Sequence, residues 1–130
     1  MKVFLDANLL IYINVGSTTE MLEFWIDLLT RHDPYTDPLV LDETLWISRR
    51  KYGITYEQTL QFIDEDVLPY VTLLPIAENE YRAAAEILRK HRIKPSDALH
   101  LAAMKLNNIN IVASEDRELD KVKWVKRIWI

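Results

Sequence analysis

The sequence predicts an α/β fold, a parallel sheet of four to five strands flanked by helices on both faces. Three observations predict it. Short strand-like segments alternate with helical stretches along the chain, which requires parallel pairing through crossovers. The first of them, Val3-Phe4-Leu5, is a short, apolar, β-favouring run of the kind that forms a buried strand. The 130 residues contain no internal repeat, low-complexity tract or Gly/Pro/Ser-rich linker, so residues 1–130 form one domain, long enough to bury a core.

Taken in order, Lys2–Leu5 is a strand that stops at Asp6, and the apolar pattern resumes at Leu9, Leu10 and Ile11. Leu22, Trp25, Ile26 and Leu29 recur at helical spacing and predict a helix over Thr19–Arg31. Met21, Phe24 and Leu28 add a second stripe, so the apolar arc of that helix is wider than one core face needs. After Pro38, Leu39–Leu41 reads as a short extended piece. A helix then runs from about Asp42 to Gly53, where glycine suits the position after the last turn. Thr55 opens a helix to about Val67 with Tyr56, Leu60, Ile63 and Val67 on one face. Val71–Leu74 is a strand, and Ala77–His91 is a helix buried along Tyr81, Ala84 and Leu88. Pro95 and Ser96 introduce a helix with Leu99, Ala102, Ala103 and Leu106 on its core face, and Asn110–Ala113 and Trp124–Ile128 are strands.

Composition narrows the function. Apolar residues make up 49% and charged residues 28%, as in a soluble globular chain, and with no cysteine there are no disulfides or thiolate metal sites. The apolar run Leu9–Ile13 is too short for a signal peptide or a membrane span, so a cytoplasmic protein is expected. Gly16 and Gly53 are the only glycines, which excludes a P-loop or a dinucleotide fingerprint. The net charge of −4 opposes gripping nucleic acid through bulk positive potential, unless the acids are gathered and neutralised by metal.

Four acids sit where such gathering is expected. Asp6 follows the first strand and Asp116 follows the Ile111–Ala113 strand; Glu43 and Asp97 are expected in the first turns of their helices. Ligands collect beyond the carboxyl ends of parallel strands. Asp42, Asp97 and Asp116 each have an ordinary alternative as helix caps, and Asp6 is either a cap or a ligand. If the acids converge, two carboxylates ~4 Å apart repel by roughly 4 kcal/mol, so either their pKa values rise or a divalent cation fills the centre. Oxygen donors without Cys or clustered His select Mg²⁺ or Mn²⁺ over Zn²⁺ and suit phosphoryl chemistry.

The stretches "FLDANLLIY", "LVLDETLW" and "KPSDALHLAAMKLNNINIVASEDREL", with a closing basic strand, resemble the PIN domain. More narrowly, they resemble the toxin components of VapBC-type toxin–antitoxin modules and their archaeal relatives. The resemblance implies a PIN-like fold and a Mg²⁺- or Mn²⁺-dependent endoribonuclease that cleaves RNA phosphodiesters with metal-activated water. It also implies a cognate antitoxin protein as partner. Asp6, Glu43, Asp97 and Asp116 match the four acidic positions of the family, Asp6, Asp97 and Asp116 holding metal and Glu43 doing so directly or through water. Asn8 matches the small polar residue after the first acid. Ser114 stands where Thr is commoner, and Leu119 replaces a frequent aromatic. Glu115 or Glu118 could supplement Asp116.

Other residues carry two readings. His100, one turn after Asp97, could orient a ligand or touch RNA, or simply pack. Arg49-Arg50-Lys51 could position phosphate or complement a helix C-terminus, and Lys121, Lys123, Lys126 and Arg127 allow the same pair. Trp25 and Trp46 are expected to be buried rather than to stack on bases. The wide arc of the Thr19–Arg31 helix suits an antitoxin groove or a homodimer interface. Two further functions compete: a degenerate domain of this fold that binds RNA or protein without cutting, and a receiver or phosphohydrolase using Asp6 as nucleophile. The last would want an acid where Asn8 stands.

Overall fold

The computed structural model describes residues 1–130. Its elements are β1 (Lys2–Leu5), α1 (Ala7–Val15), α2 (Thr19–Arg31), β2 (Asp33–Thr36), α3 (Pro38–Tyr52) and α4 (Tyr56–Phe62). After a π turn at Ile63–Val67 come β3 (Thr72–Leu73), α5 (Glu78–Lys90), α6 (Pro95–Leu106), β4 (Ile111–Ala113), a 3₁₀ turn at Arg117–Lys121 and β5 (Lys126–Ile128). The five strands form one wholly parallel sheet in the order β3-β2-β1-β4-β5. The chain steps outward from β1 to β3, then returns across the sheet to β4. With right-handed crossovers, that reversal puts α1–α4 on one face and α5–α6 on the other.

β1 is the central strand and Val3, Phe4 and Leu5 are fully buried, as its unbroken apolar run requires. Each such side chain contributes roughly 1.5–3 kcal/mol by leaving water. The strand order reverses between β1 and β4, and there the amide of Asp6 donates to the carbonyl of Ala113 at 3.1 Å. That is the crevice where open parallel sheets hold ligands.

Several expectations are corrected. Leu39–Leu41 is not extended; it lies inside α3, and the second strand is Asp33–Thr36. Pro34 precedes the pairing of β2 with β3, which begins at Tyr35–Thr72, so its missing N–H leaves no gap in the ladder. Residues 7–15 form a helix for which the periodicity gave no sign, because α1 is apolar around most of its circumference. Of the face expected after Thr55, Ile63 and Val67 are buried but Tyr56 and Leu60 are exposed, and Thr59 and Phe62 face the core in their place. The helix ends in a π turn, with Leu68 donating to Ile63 at 2.9 Å.

In α5 the buried stripe is Glu80, Ala84 and Ile87, with Tyr81 and Leu88 exposed. Glu80 can turn inward because its carboxylate bends back to accept the amide of Ala77 at 2.9 Å. α6 is buried around most of its surface, including Ala98, Leu101, Ala102, Ala103 and Met104, whereas Leu106 is exposed. The last strand is shorter than Trp124–Ile128, spanning Lys126–Ile128. Trp25 is buried as expected, but Trp46 is half exposed.

Candidate metal and active site

Asp6 turns the chain from β1 into α1. As N-cap, it accepts the amide of Ala7 on Oδ1 at 2.8 Å, so the local backbone reason for a strand-ending carboxylate is a helix start. Its Oδ2 accepts the hydroxyl of Ser114 at 2.6 Å. Ser114 in turn accepts from Asn8 Nδ2 at 3.2 Å and from the amide of Asp116 at 3.0 Å, which uses the hydroxyl's one donor and both acceptor sites. Asn8 Oδ1 closes the loop by accepting the amide of Glu115 at 3.2 Å. The ends of β1 and β4 are thereby stitched together, and Asp6 keeps acceptor capacity facing outward.

Asp6, Asn8, Glu43, Asp97 and Asp116 line one cleft of about 260 Å³, with Ile11, Ile47, Lys51, Lys94 and Ser96. The four acids expected from the sequence are therefore brought together. Glu43 is not in a first turn, because α3 begins five residues earlier, at Pro38; it sits one turn further on and remains accessible. Asp42 caps nothing: Asp37 is the N-cap of α3 and accepts the amide of Val40 at 3.0 Å. Asp97 is in the first turn of α6 and buried. Asp116 caps the 3₁₀ turn, accepting from the amide of Glu118 at 3.0 Å.

The electrostatics follow from this crowding. Burial first, then the charges of Asp6 and Asp116, raise Asp97 from 3.8 to about 6. Burial and then Asp6 push Glu43 up as well. His100 closes the inner wall of the site. Its Nδ1 lies 2.6 Å from Asp37 Oδ2, and its ring packs on Phe4 with centroids 5.6 Å apart. Burial opposes its protonation, but the Asp37 hydrogen bond and charge, with Asp6 and Asp97, outweigh burial and raise its pKa. Asp6, Glu43 and His100 offer ligand atoms all within 4.8 Å of one another.

Not everything expected at the site is there. The Arg49 guanidinium lies over the Tyr56 ring at 4.8 Å, away from the cleft lining. Glu115 accepts the Tyr12 hydroxyl at 2.6 Å and Glu118 pairs with Lys121, so neither lines the cleft. Arg127 is held by Asp120 and the Ser114 carbonyl. The sequence reading missed Asp37 and Lys94, whereas Lys51, from the basic run Arg49–Lys51, lines the cleft. The Asp37-Pro38 pair, an N-cap residue followed by proline at the first helical position, was the available signal for the first.

The donor set suits a hard divalent cation. Asp97 and Glu43 are held up by burial and like charge, with no hydrogen bond contributing, which leaves carboxylate oxygens free to ligate. The buried acidic group could hold a metal.

A profile of the PIN domain matches residues 3–125. The chain is 25% identical over 142 residues to ribonuclease VapC2 of Methanocaldococcus jannaschii, covering 99% of this chain and 94% of the relative. The fold is shared with Mycobacterium tuberculosis VapC20, a toxin described as cleaving the sarcin-ricin loop. There the TM-score is 0.77 at 17% identity, over 95% of this chain and 96% of that one. It is shared equally with VapBC2 of Rickettsia felis, solved bound to a DNA fragment from its promoter, with TM-score 0.76 at 14% identity over 99% and 98% of the chains. The profile match spans nearly the whole chain, and the acidic cleft lies at the strand-order reversal of the matching sheet: this protein belongs to the PIN domain family.

Proposed function

We propose that this chain is a Mg²⁺- or Mn²⁺-dependent endoribonuclease, the toxin of a VapBC-type pair, held in check by a cognate antitoxin protein. The observation that carries the reading is the meeting of Asp6, Glu43, Asp97 and Asp116, from four separate segments, in one cleft. The ribonuclease relative and the solved toxin–antitoxin complexes of the same fold support it. No helix is long and apolar enough to cross a membrane, which agrees with a cytoplasmic site of action.

Asp6, Asp97 and Asp116 would hold the ion, with Glu43 beside them. When bound, such an ion supplies charge neutralisation on the phosphoryl oxygens and lowers the pKa of water. The chain's own residues do the rest. Ser114 fixes the Asp6 carboxylate through the 2.6 Å bond, and Asn8 fixes Ser114. Lys51 and Lys94 at the cleft wall offset the acids and attract a phosphodiester. The 2.6 Å hydrogen bond between Asp37 and His100 fixes the imidazole beside Asp6 and Glu43.

The test is cleavage of RNA by the purified chain with Mg²⁺ or Mn²⁺, with and without chelator. Asp6→Asn retains an oxygen for the Ala7 amide and should keep the fold, while lowering cleavage by about 100-fold or more. Undiminished cleavage by that variant overturns the assignment. A chain that neither cleaves RNA nor gains thermal stability from Mn²⁺ is a binding module of this fold.

A further inference from the structure

The last turn of α3 carries a feature that the acidic cleft uses only through Lys51. Arg49, Arg50 and Lys51 are consecutive cations, and each is laid against an aromatic ring. The guanidinium of Arg49 is 4.8 Å from the Tyr56 centroid, that of Arg50 is 6.0 Å from Trp46, and the Lys51 ammonium is 5.5 Å from Tyr52. All three rings are open to solvent: Trp46 is 50% exposed, Tyr52 41% and Tyr56 39%. Completing a helix C-terminus needs cations, but it does not need three exposed rings beside them.

This face is continuous with the cleft. Glu43, Ile47 and Lys51 follow one another at four-residue spacing along α3, and all three line the cleft. Arg50 falls between Glu43 and Trp46 around the helix circumference, so a path leads from the acids across Arg50 onto Trp46. Beyond Trp46 a depression of about 510 Å³ opens between α3 and α4, lined by Asp42, Leu45, Trp46, Tyr56 and Leu60.

We propose that this α3–α4 face is the docking surface for single-stranded RNA flanking the cleaved phosphodiester, with Trp46 and Tyr56 as stacking platforms and Arg49, Arg50 and Lys51 as phosphate contacts. The proposal rests on the ribonuclease reading and extends it to how the strand is held outside the cleft. In a chain of net charge −4, a run of three cations is where a polyanion finds complementary potential. Every base has a π-face, so exposed rings bind a flexible strand without reading its sequence. A guanidinium beside a ring keeps several N–H donors for phosphate while its planar face meets the aromatic surface. Asp42, one turn from Trp46 in the depression, disfavours phosphate there, which leaves the backbone to Arg50 and Lys51 and the bases to Trp46 and Tyr56. A protein helix would be served better by the groove of about 700 Å³ between α2 and α4, lined by Leu22, Trp25, Ile26 and Phe62 and edged by Glu65 and Asp66. Those two acids repel nucleic acid.

The experiment measures binding of a fluorescent single-stranded oligoribonucleotide to the full chain carrying Asp6→Asn, across a salt series. In that background Trp46→Ala should weaken binding by about tenfold. Arg50→Ala should do likewise and reduce the slope of log K against log salt by about 0.7. In the cleavage-competent chain the same substitutions should raise KM more than they lower kcat, with the melting temperature retained. Unchanged affinity and salt slope in both variants overturn the proposal, and so does loss of only a protein partner. The two readings fail separately. A chain that binds RNA through Trp46 but never cleaves it defeats the ribonuclease reading alone. A chain that cleaves RNA with Trp46→Ala and Arg50→Ala at full affinity defeats this one alone.

Discussion

Asp97 shows at single-residue scale what the cleft demands of its acids. Burial, then Asp6 and Asp116, hold its pKa at about 6 instead of 3.8, so the folded chain binds this proton more tightly than the unfolded chain does. Without metal, the stability gained from that proton is complete below pH 3.8 and is lost as pH rises through about 6. His100, also raised, acts in the same direction at higher pH. Urea unfolding with chelator should therefore show stability declining across that window, and Asp97→Asn should flatten the decline. With Mn²⁺ the slope should reverse, because ligation requires the carboxylate form. A metal-free chain whose stability is insensitive to pH there contradicts the proton balance described for Asp97. Asp6, Asp97 and Asp116 were legible as candidates because each stands next to a strand end or helix start, whereas Glu43 lies one turn inside α3. The sequence could not show that Asp6 also caps α1, since nothing in the periodicity revealed a helix so uniformly apolar.

Among the elements, α3 carries the most. Asp37 starts it, Glu43 and Lys51 reach the cleft from it, and Gly53 ends it at φ 71, in the left-handed region that favours glycine. Asp37 is fully buried and divides its carboxylate between the Val40 amide and His100. Asp37→Ala removes the cap and leaves the buried His100 imidazole without its partner, and should destabilise the protein by about 3 kcal/mol. Asp37→Asn keeps an acceptor for Val40 and should lose less. Comparing urea midpoints checks both, and equal midpoints would mean that His100 does not depend on this carboxylate. The Gly53 stop was legible because few residues adopt that conformation. The Asp33–Thr36 strand was not, because Asp and Pro are poor strand formers and only its neighbours in the sheet make the segment extended. Buried stripes in α5 and α6 were misjudged for a related reason: several positions share the helical period, and packing partners choose among them.

For the whole molecule, the two exposed surfaces have opposite characters. The α3–α4 face is cationic and aromatic, whereas the α2–α4 groove is apolar with an acidic rim. Thr19–Arg31 was read from its sequence as having too wide an apolar arc, and the excess is what lines this groove. It is the surface on which the proposed antitoxin, or a second copy of the chain, would sit. Ile26 is 56% exposed there, so Ile26→Asp should leave the melting temperature nearly unchanged. The same substitution should weaken partner binding or self-association by about 30-fold. Light scattering and co-purification read the two cases, and an Ile26→Asp chain that associates normally shows that the groove serves neither.

The bond between Ser114 and Asp6 joins residues 108 positions apart, and Asp116 lies later still. A growing polypeptide exposes Asp6 long before Ser114 and Asp116, so the cleft cannot close until the segment after β4 has been made. A fragment that stops before Ser114 therefore lacks both the brace on Asp6 and one carboxylate of the cleft.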